Sequence, residues 1–378
     1  MRAFLPLGLA CGTAILTLAF HVPDPAKSPE TASTPPLNLA RCFAPGTDPA
    51  VIEEIESAMN GPPEGLALFR ESTHWNQTAT NGGAISRGDP ITLTWGIVPD
   101  GTNIPDFGIG STAPSDLRAR LNAIYGNEAT WLPIFQSVFD RWSDVTGITY
   151  VHEPTDDGAT FSNNPGVSQG QLGVRPDVRI GGRHIDGNSN TLAFNFLPTV
   201  GDMVIDTNDT FFDDITNDSL KIRNVISHEH GHGLGLNHVC PISQSKLMEP
   251  FISTMFDGPQ HDDILGGQRQ HGDALEPNDT TASASVLGTL STVPTQITSV
   301  SLDGTSDVDF YQFHTAGANT QVSITVTPTG ETYLEGPQNP GGSCSAGSNF
   351  DSTVLRDLSV ELLDTNGATL ASVDAQGA

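Results

Sequence analysis

Apolar residues follow two different rhythms along this chain. A first helical spacing occurs at Val51–Met59 and is stopped by Gly61-Pro62-Pro63. Ser115 is placed to cap a second helix through Leu117, Leu121 and Ile124, and a third sets Phe135, Val138, Phe139 and Trp142 on one face. Aromatic stripes of this kind are core. Short β-rich runs lie between, at Ile91–Val98, Ile148–Val151, Val178–Ile180, Leu192–Phe196 and Met203–Ile205. A further helix is expected to start at Asp218 or Ser219 and to carry a cluster of histidines. From Glu276 the helical rhythm ends. Val322–Val326 and Leu358–Leu363 alternate like strands, and Asn366-Gly367 marks a hairpin before Thr369–Val373. The pattern predicts an α+β fold over 71–275 followed by an all-β sandwich over 276–378, short of strands where the chain stops at Ala378.

Composition narrows the partners. With 378 residues the chain is too long for one ordinary domain. A formal charge of -28 argues against nucleic acid and against anionic membranes, since both need Lys and Arg. Most of the acid is solvated surface, with a few carboxylates suited to calcium. Arg2 followed by the uncharged apolar run Phe4–Phe20 reads as a secretory signal peptide over 1–20. That run is too short to span a bilayer, so no membrane anchor is expected. Residues 21–70 read as a Pro-rich linker and an N-terminal extension or propeptide. Removal of the signal leaves Cys42, Cys240 and Cys344, enough for one disulfide and one thiol.

The chemistry concentrates in His228-Glu229-His230-Gly231-His232-Gly233-Leu234-Gly235-Leu236-Asn237-His238. Four residues make about one helical turn, so His228 and His232 share a face and can share a metal. Gly235 lets the chain leave the helix at positive φ, which returns His238 as a third ligand. Three neutral imidazoles with one open position suit a catalytic zinc. Glu229, beside the first ligand, is placed as general base. His230 faces elsewhere and is expected at the surface or behind the ligands.

On these residues the chain resembles the metzincins, and among them the matrixin-like group. The resemblance covers roughly residues 75–275 and includes Leu247-Met248-Glu249-Pro250, whose Met248 would lie beneath the zinc. It implies a mostly parallel, twisted mixed sheet with long helices, and zinc-dependent hydrolysis of internal peptide bonds in protein or peptide substrates. It also implies that Leu192-Ala193-Phe194 is an edge strand for substrate pairing, and that Asp186, Asp206 and Asp209 hold calcium. Phe194 and Val204 stand where the family has structural-zinc histidines, so a second zinc is not expected. Arg41-Cys42 is similar to the family's inhibitory propeptide cysteine. The competing expectation is a Cys42–Cys240 disulfide, because Cys240 lies two residues beyond His238. The tail, with Glu276-Pro277-Asn278-Asp279 and Ser306–Phe313, resembles the bacterial pre-peptidase C-terminal domain, which implies calcium or an extracellular polymer as its ligand. The expected protein is therefore a secreted, extracellular zinc endopeptidase. The alternative is a catalytically silent adhesion protein of the same shape, which would predict a damaged base or ligand; none is damaged.

Overall fold

The computed structural model describes residues 39–48, 52, 71–240, 243–304, 306–317, 320–335, 347–354 and 358–374, and the backbone alone of 2–9 and 13–20. The expected linker over 21–37, most of the Val51–Met59 helix, Cys11 and Cys344 lie outside the described residues.

The strands used below are β1 (Arg2–Leu9), β2 (Thr13–Phe20), β3 (Leu39–Phe43), β4 (Ile91–Ile97), β5 (Ile148–His152), β6 (Val178–Arg183), β7 (Thr191–Phe196) and β8 (Met203–Asp206). They continue with β9 (Ser285–Thr289), β10 (Val308–His314), β11 (Thr320–Thr325), β12 (Leu358–Leu363) and β13 (Thr369–Asp374). The helices are α1 (Leu117–Tyr125), α2 (Glu128–Ser143), α3 (Thr216–Gly233) and α4 (His261–His271).

Six strands form a mixed sheet in the order β3-β7-β8-β6-β4-β5. The pairs β8–β6, β6–β4 and β4–β5 are parallel, and β7 is antiparallel to both neighbours. Parallel strands are buried on both faces, which is why β6, parallel to both neighbours, carries no exposed residue; β7, antiparallel to both, is as fully buried between β3 and β8. α2 and α3 cover one face through Trp131, Phe135, Phe139, Trp142, Ile222, Val225 and Ile226. The aromatic stripe read from the sequence is thus the main core. Phe194 and Val204 belong to a second apolar cluster with Phe107, Phe161 and Phe196.

Residues beyond 284 add further strands. A five-stranded sheet has the order β9-β10-β2-β12-β13, and β1 pairs with β11. The segment expected to be a removable leader therefore supplies a strand flanked by β10 and β12. No helix among the described residues is long and apolar enough to cross a membrane.

Candidate metal centre

α3 delivers the histidines. Asn217, Asp218 and Ser219 take left-handed φ, so the regular helix begins after Ser219. It closes at Gly235, whose φ is 92°. A Cβ there would overlap the Thr73 carbonyl, so glycine is required twice over, by conformation and by space. The same turn brings the Leu236 carbonyl to His232 Nδ1 at 2.7 Å. His228 Nδ1 lies 2.7 Å from the Leu247 carbonyl. A carbonyl only accepts, so both Nδ1 atoms carry the proton and both Nε2 atoms present lone pairs.

Those lone pairs converge. The Nε2 atoms of His228 and His232 are 3.0 Å apart, and each is 3.2 Å from His238 Nε2. Burial holds His228 down to about 4 and His232 well below the ordinary histidine range, so both rings are neutral at physiological pH. Two acceptor lone pairs at 3.0 Å repel unless a cation lies between them, and this donor set fits zinc.

Glu229 is fully buried. Its Oε1 accepts the Cys42 N–H at 2.9 Å, whereas Oε2 receives no hydrogen bond. Burial lifts its carboxyl to about 8, with the Cys42 hydrogen bonds and Arg41 opposing. His230 is buried rather than exposed. Its Nε2 meets the Tyr150 hydroxyl at 2.6 Å, and its ring packs on Phe139 and Trp142. The short residues around it on α3 let these aromatics approach, and the sequence spacing alone could not show that this face is covered.

Met248 is buried against Gly231, where any side chain would overlap its sulfur. The turn that holds it rests on two carboxylates that sequence reasoning missed. Asp263 accepts the Leu247 and Met248 amides at 2.8 and 3.0 Å, and Glu249 accepts those of Gln244, Ser245 and Lys246. Asp263 also completes the capping box of α4, and the near-terminal acidic pair Asp262-Asp263 was the available signal. Trp75, likewise unanticipated, donates to the Gly233 carbonyl at 2.7 Å and braces the end of α3.

Other expected residues behave differently. Asp186, Asp206 and Asp209 gather around one loop but are not among the metal-spaced groups of the described residues. Their oxygens are engaged by backbone: Asp206 accepts from Asp186, Gly187 and Asn208, Asp209 from Ser189 and Phe211, and Asp186 from Thr191. The carboxylates there fix loop shape. Cys42 is a free thiol, and Cys240 is disulfide-bonded to a cysteine other than Cys42, which overturns the expected Cys42–Cys240 bond. Position explains it: β3 carries Cys42 inward to Glu229, opposite Ala193. The expected edge strand is also covered, since β3 pairs along β7. A second cluster brings together Glu276, Asp307 and Asp309, with ligand atoms within 4.8 Å of one another.

Residues 126–272 match the family model for matrixin, of the M10 peptidases. That stretch is a matrixin-like metallopeptidase domain, with the three histidines inside it. Two solved structures, titled "Crystal structure of myroilysin" and "Structure of Myroilysin", align at 13% and 11% identity with TM-scores of 0.22 and 0.21. The alignments cover 51% and 50% of this chain, and 66% and 67% of theirs. At those scores they carry no argument. No curated protein matches the chain.

Proposed function

We propose that this protein is an extracellular zinc endopeptidase in which His228, His232 and His238 hold the metal and Glu229 moves the proton. The observation that carries this reading is the convergence of three imidazole Nε2 atoms within 3.0–3.2 Å beside a buried carboxylate. Zinc held there supplies Lewis acidity toward a carbonyl oxygen and acidifies water. Glu229 Oε2, free of hydrogen bonds, is the atom that takes a proton from water and passes it to the leaving nitrogen. Burial favours that role, because a desolvated carboxylate binds a proton more readily than an exposed one. The Leu247 and Leu236 carbonyls keep two of the ligand rings in the tautomer that offers Nε2. Met248 supports α3 below the ligands by packing on Gly231.

The apolar run of residues 1–20 supports a signal peptide, against which stands the pairing of β2 between β10 and β12, and 276–378 are read as a β-sandwich that binds an extracellular polymer. The substrates are proteins or peptides drawn into the groove along β7.

Glu229→Ala is the test. It should keep zinc, measured by metal analysis, and lose at least about a hundredfold in peptide hydrolysis. Normal turnover in a zinc-replete variant would refute the assignment, and a wild type that binds zinc without cleaving any peptide would favour the silent adhesion protein.

A further inference from the structure

The turn that carries Met248 is gripped by the C-terminal region. The strand Thr332–Glu335 pairs with Ser348–Asp351 and sets Tyr333 opposite Phe350, with ring centroids 5.2 Å apart. From there Tyr333 reaches the metallopeptidase domain. Its hydroxyl donates to Asp262 Oδ1 at 2.8 Å. Lys246 stands over its ring, with Nζ 3.9 Å from the centroid. Lys246 is 1% exposed, and its Nζ lies 3.5 Å from Glu331 Oε2 and donates to Ser245 Oγ at 3.2 Å. A buried ammonium is costly unless it is paired. Here the aromatic face and the carboxylate both come from the C-terminal region. α4 is held by that region at both ends. Thr329 Oγ1 lies 3.3 Å from His261 Nε2 at its start, and Gln268 Nε2 near its end donates to the Ser299 carbonyl at 2.7 Å.

Lys246 and Asp262 each adjoin a group that shapes the zinc ligands. Lys246 precedes Leu247, whose carbonyl orients His228. Asp262 precedes Asp263, whose carboxylate accepts the Leu247 and Met248 amides. The Met248 carbonyl in turn accepts the Val239 N–H at 2.9 Å, next to His238. Tyr333 touches both Lys246 and Asp262, so one side chain braces the turn against the helix that anchors it. We propose, resting on the zinc reading above, that Tyr333 is a positioning residue of the metal centre: docked on Lys246 and Asp262, it fixes the Leu247-Met248 turn and through it the orientation of His228. The C-terminal region then helps to hold the metal and is more than a tether. Partners that orient ligating histidines are worth about 10–100-fold in metal affinity. Tyr333 acts one contact further out, so the lower end of that range applies.

The zinc-loaded full chain tests this as wild type, Tyr333→Ala, Tyr333→Phe and Leu334→Ala. Leu334 lies on the same strand but is 53% exposed. Zinc release to a chromogenic chelator is followed well below the unfolding temperature, together with kcat and KM on one peptide. Tyr333→Ala should release zinc about tenfold faster and lose about tenfold in kcat, with KM within about twofold of wild type. Tyr333→Phe keeps the ring under Lys246 but loses the bond to Asp262, and should release zinc about threefold faster. Leu334→Ala should match wild type. A region that only adds stability would lower the melting temperature of Tyr333→Ala and leave zinc release and kcat unchanged; that result would overturn the proposal. So would equal acceleration in Leu334→Ala. Should Tyr333→Ala not fold, Tyr333→Phe decides, and an unchanged release rate in it rejects the clamp. If zinc is held but no form cleaves any peptide, the peptidase reading is what fails, and the release rates still decide. If no form holds zinc, the metal reading fails, and hydrogen exchange at the Leu247 and Met248 amides decides instead. Faster exchange in Tyr333→Ala supports the clamp, and equal rates reject it.

Discussion

At the histidine centre three rings turn Nε2 toward one point, His228 and His232 as neutral imidazoles, whereas at Glu276, Asp307 and Asp309 three carboxylates converge. The first cluster is inexpensive to bury, because an uncharged imidazole with its Nδ1–H on a carbonyl has no charge to desolvate. The second is not. Burial, reinforced by neighbouring acids, lifts Glu276 to about 8, Asp307 to about 6 and Asp309 to about 9, and Asp303 nearby to about 7. Asp307 Oδ1 is buried without a hydrogen-bond donor. Convergent ligand atoms alone therefore do not define one kind of site. The protonation state in which they converge decides whether the fold is helped or strained near neutral pH.

Removing a ligand breaks the first half of that contrast most severely. His238→Ala should lose zinc on dialysis, since two imidazoles do not hold the metal as three do. Full occupancy by metal analysis would show that His238 is not a ligand. Asp263→Ala is expected to be the next largest effect. It strips the acceptor from the Leu247 and Met248 amides and should cost about 1–3 kcal/mol in denaturant unfolding. Because the Leu247 carbonyl orients His228, zinc affinity should fall with it. Unchanged stability and affinity would mean that the turn holds itself.

The acidic cluster sharpens the comparison through pH. Its carboxyls titrate higher when folded than when unfolded, so their stabilisation is complete below the unfolded values near 4 and is lost as pH rises through about 6 to 9. In chelator, the melting temperature of the C-terminal strands should decline steadily over that window; a flat profile in calorimetry would remove the argument. The smallest effect expected is from Asp309→Asn. It keeps an acceptor for the Tyr311 hydroxyl but needs no proton taken up on folding, and should raise that melting temperature at pH 8 by a few degrees, about 1 kcal/mol in a domain of about 100 residues. A lower melting temperature would show that the repulsion is already relieved.

The sequence by itself determined what depends on neighbours along the chain. Helical spacing placed His228 and His232 on one face, and Gly235 had to be glycine for the chain to return with His238. The stripe Phe135, Val138, Phe139 and Trp142 announced its own burial, and the alternation after Glu276 announced strands. Tertiary structure decided the rest, because it joins segments whose meeting leaves no local periodicity. It buried His230 against Tyr150, 80 positions away, and set Asp263 beneath the Met248 turn. It laid β3 over the strand expected to be an open edge and brought the Cys42 amide to Glu229 across 187 positions, where a disulfide had been expected. Local sterics and helical geometry act over a few residues and can be read in order. Strand pairing and buried hydrogen bonds are settled only when the whole core closes, since any exposed donor has water as an alternative partner until then.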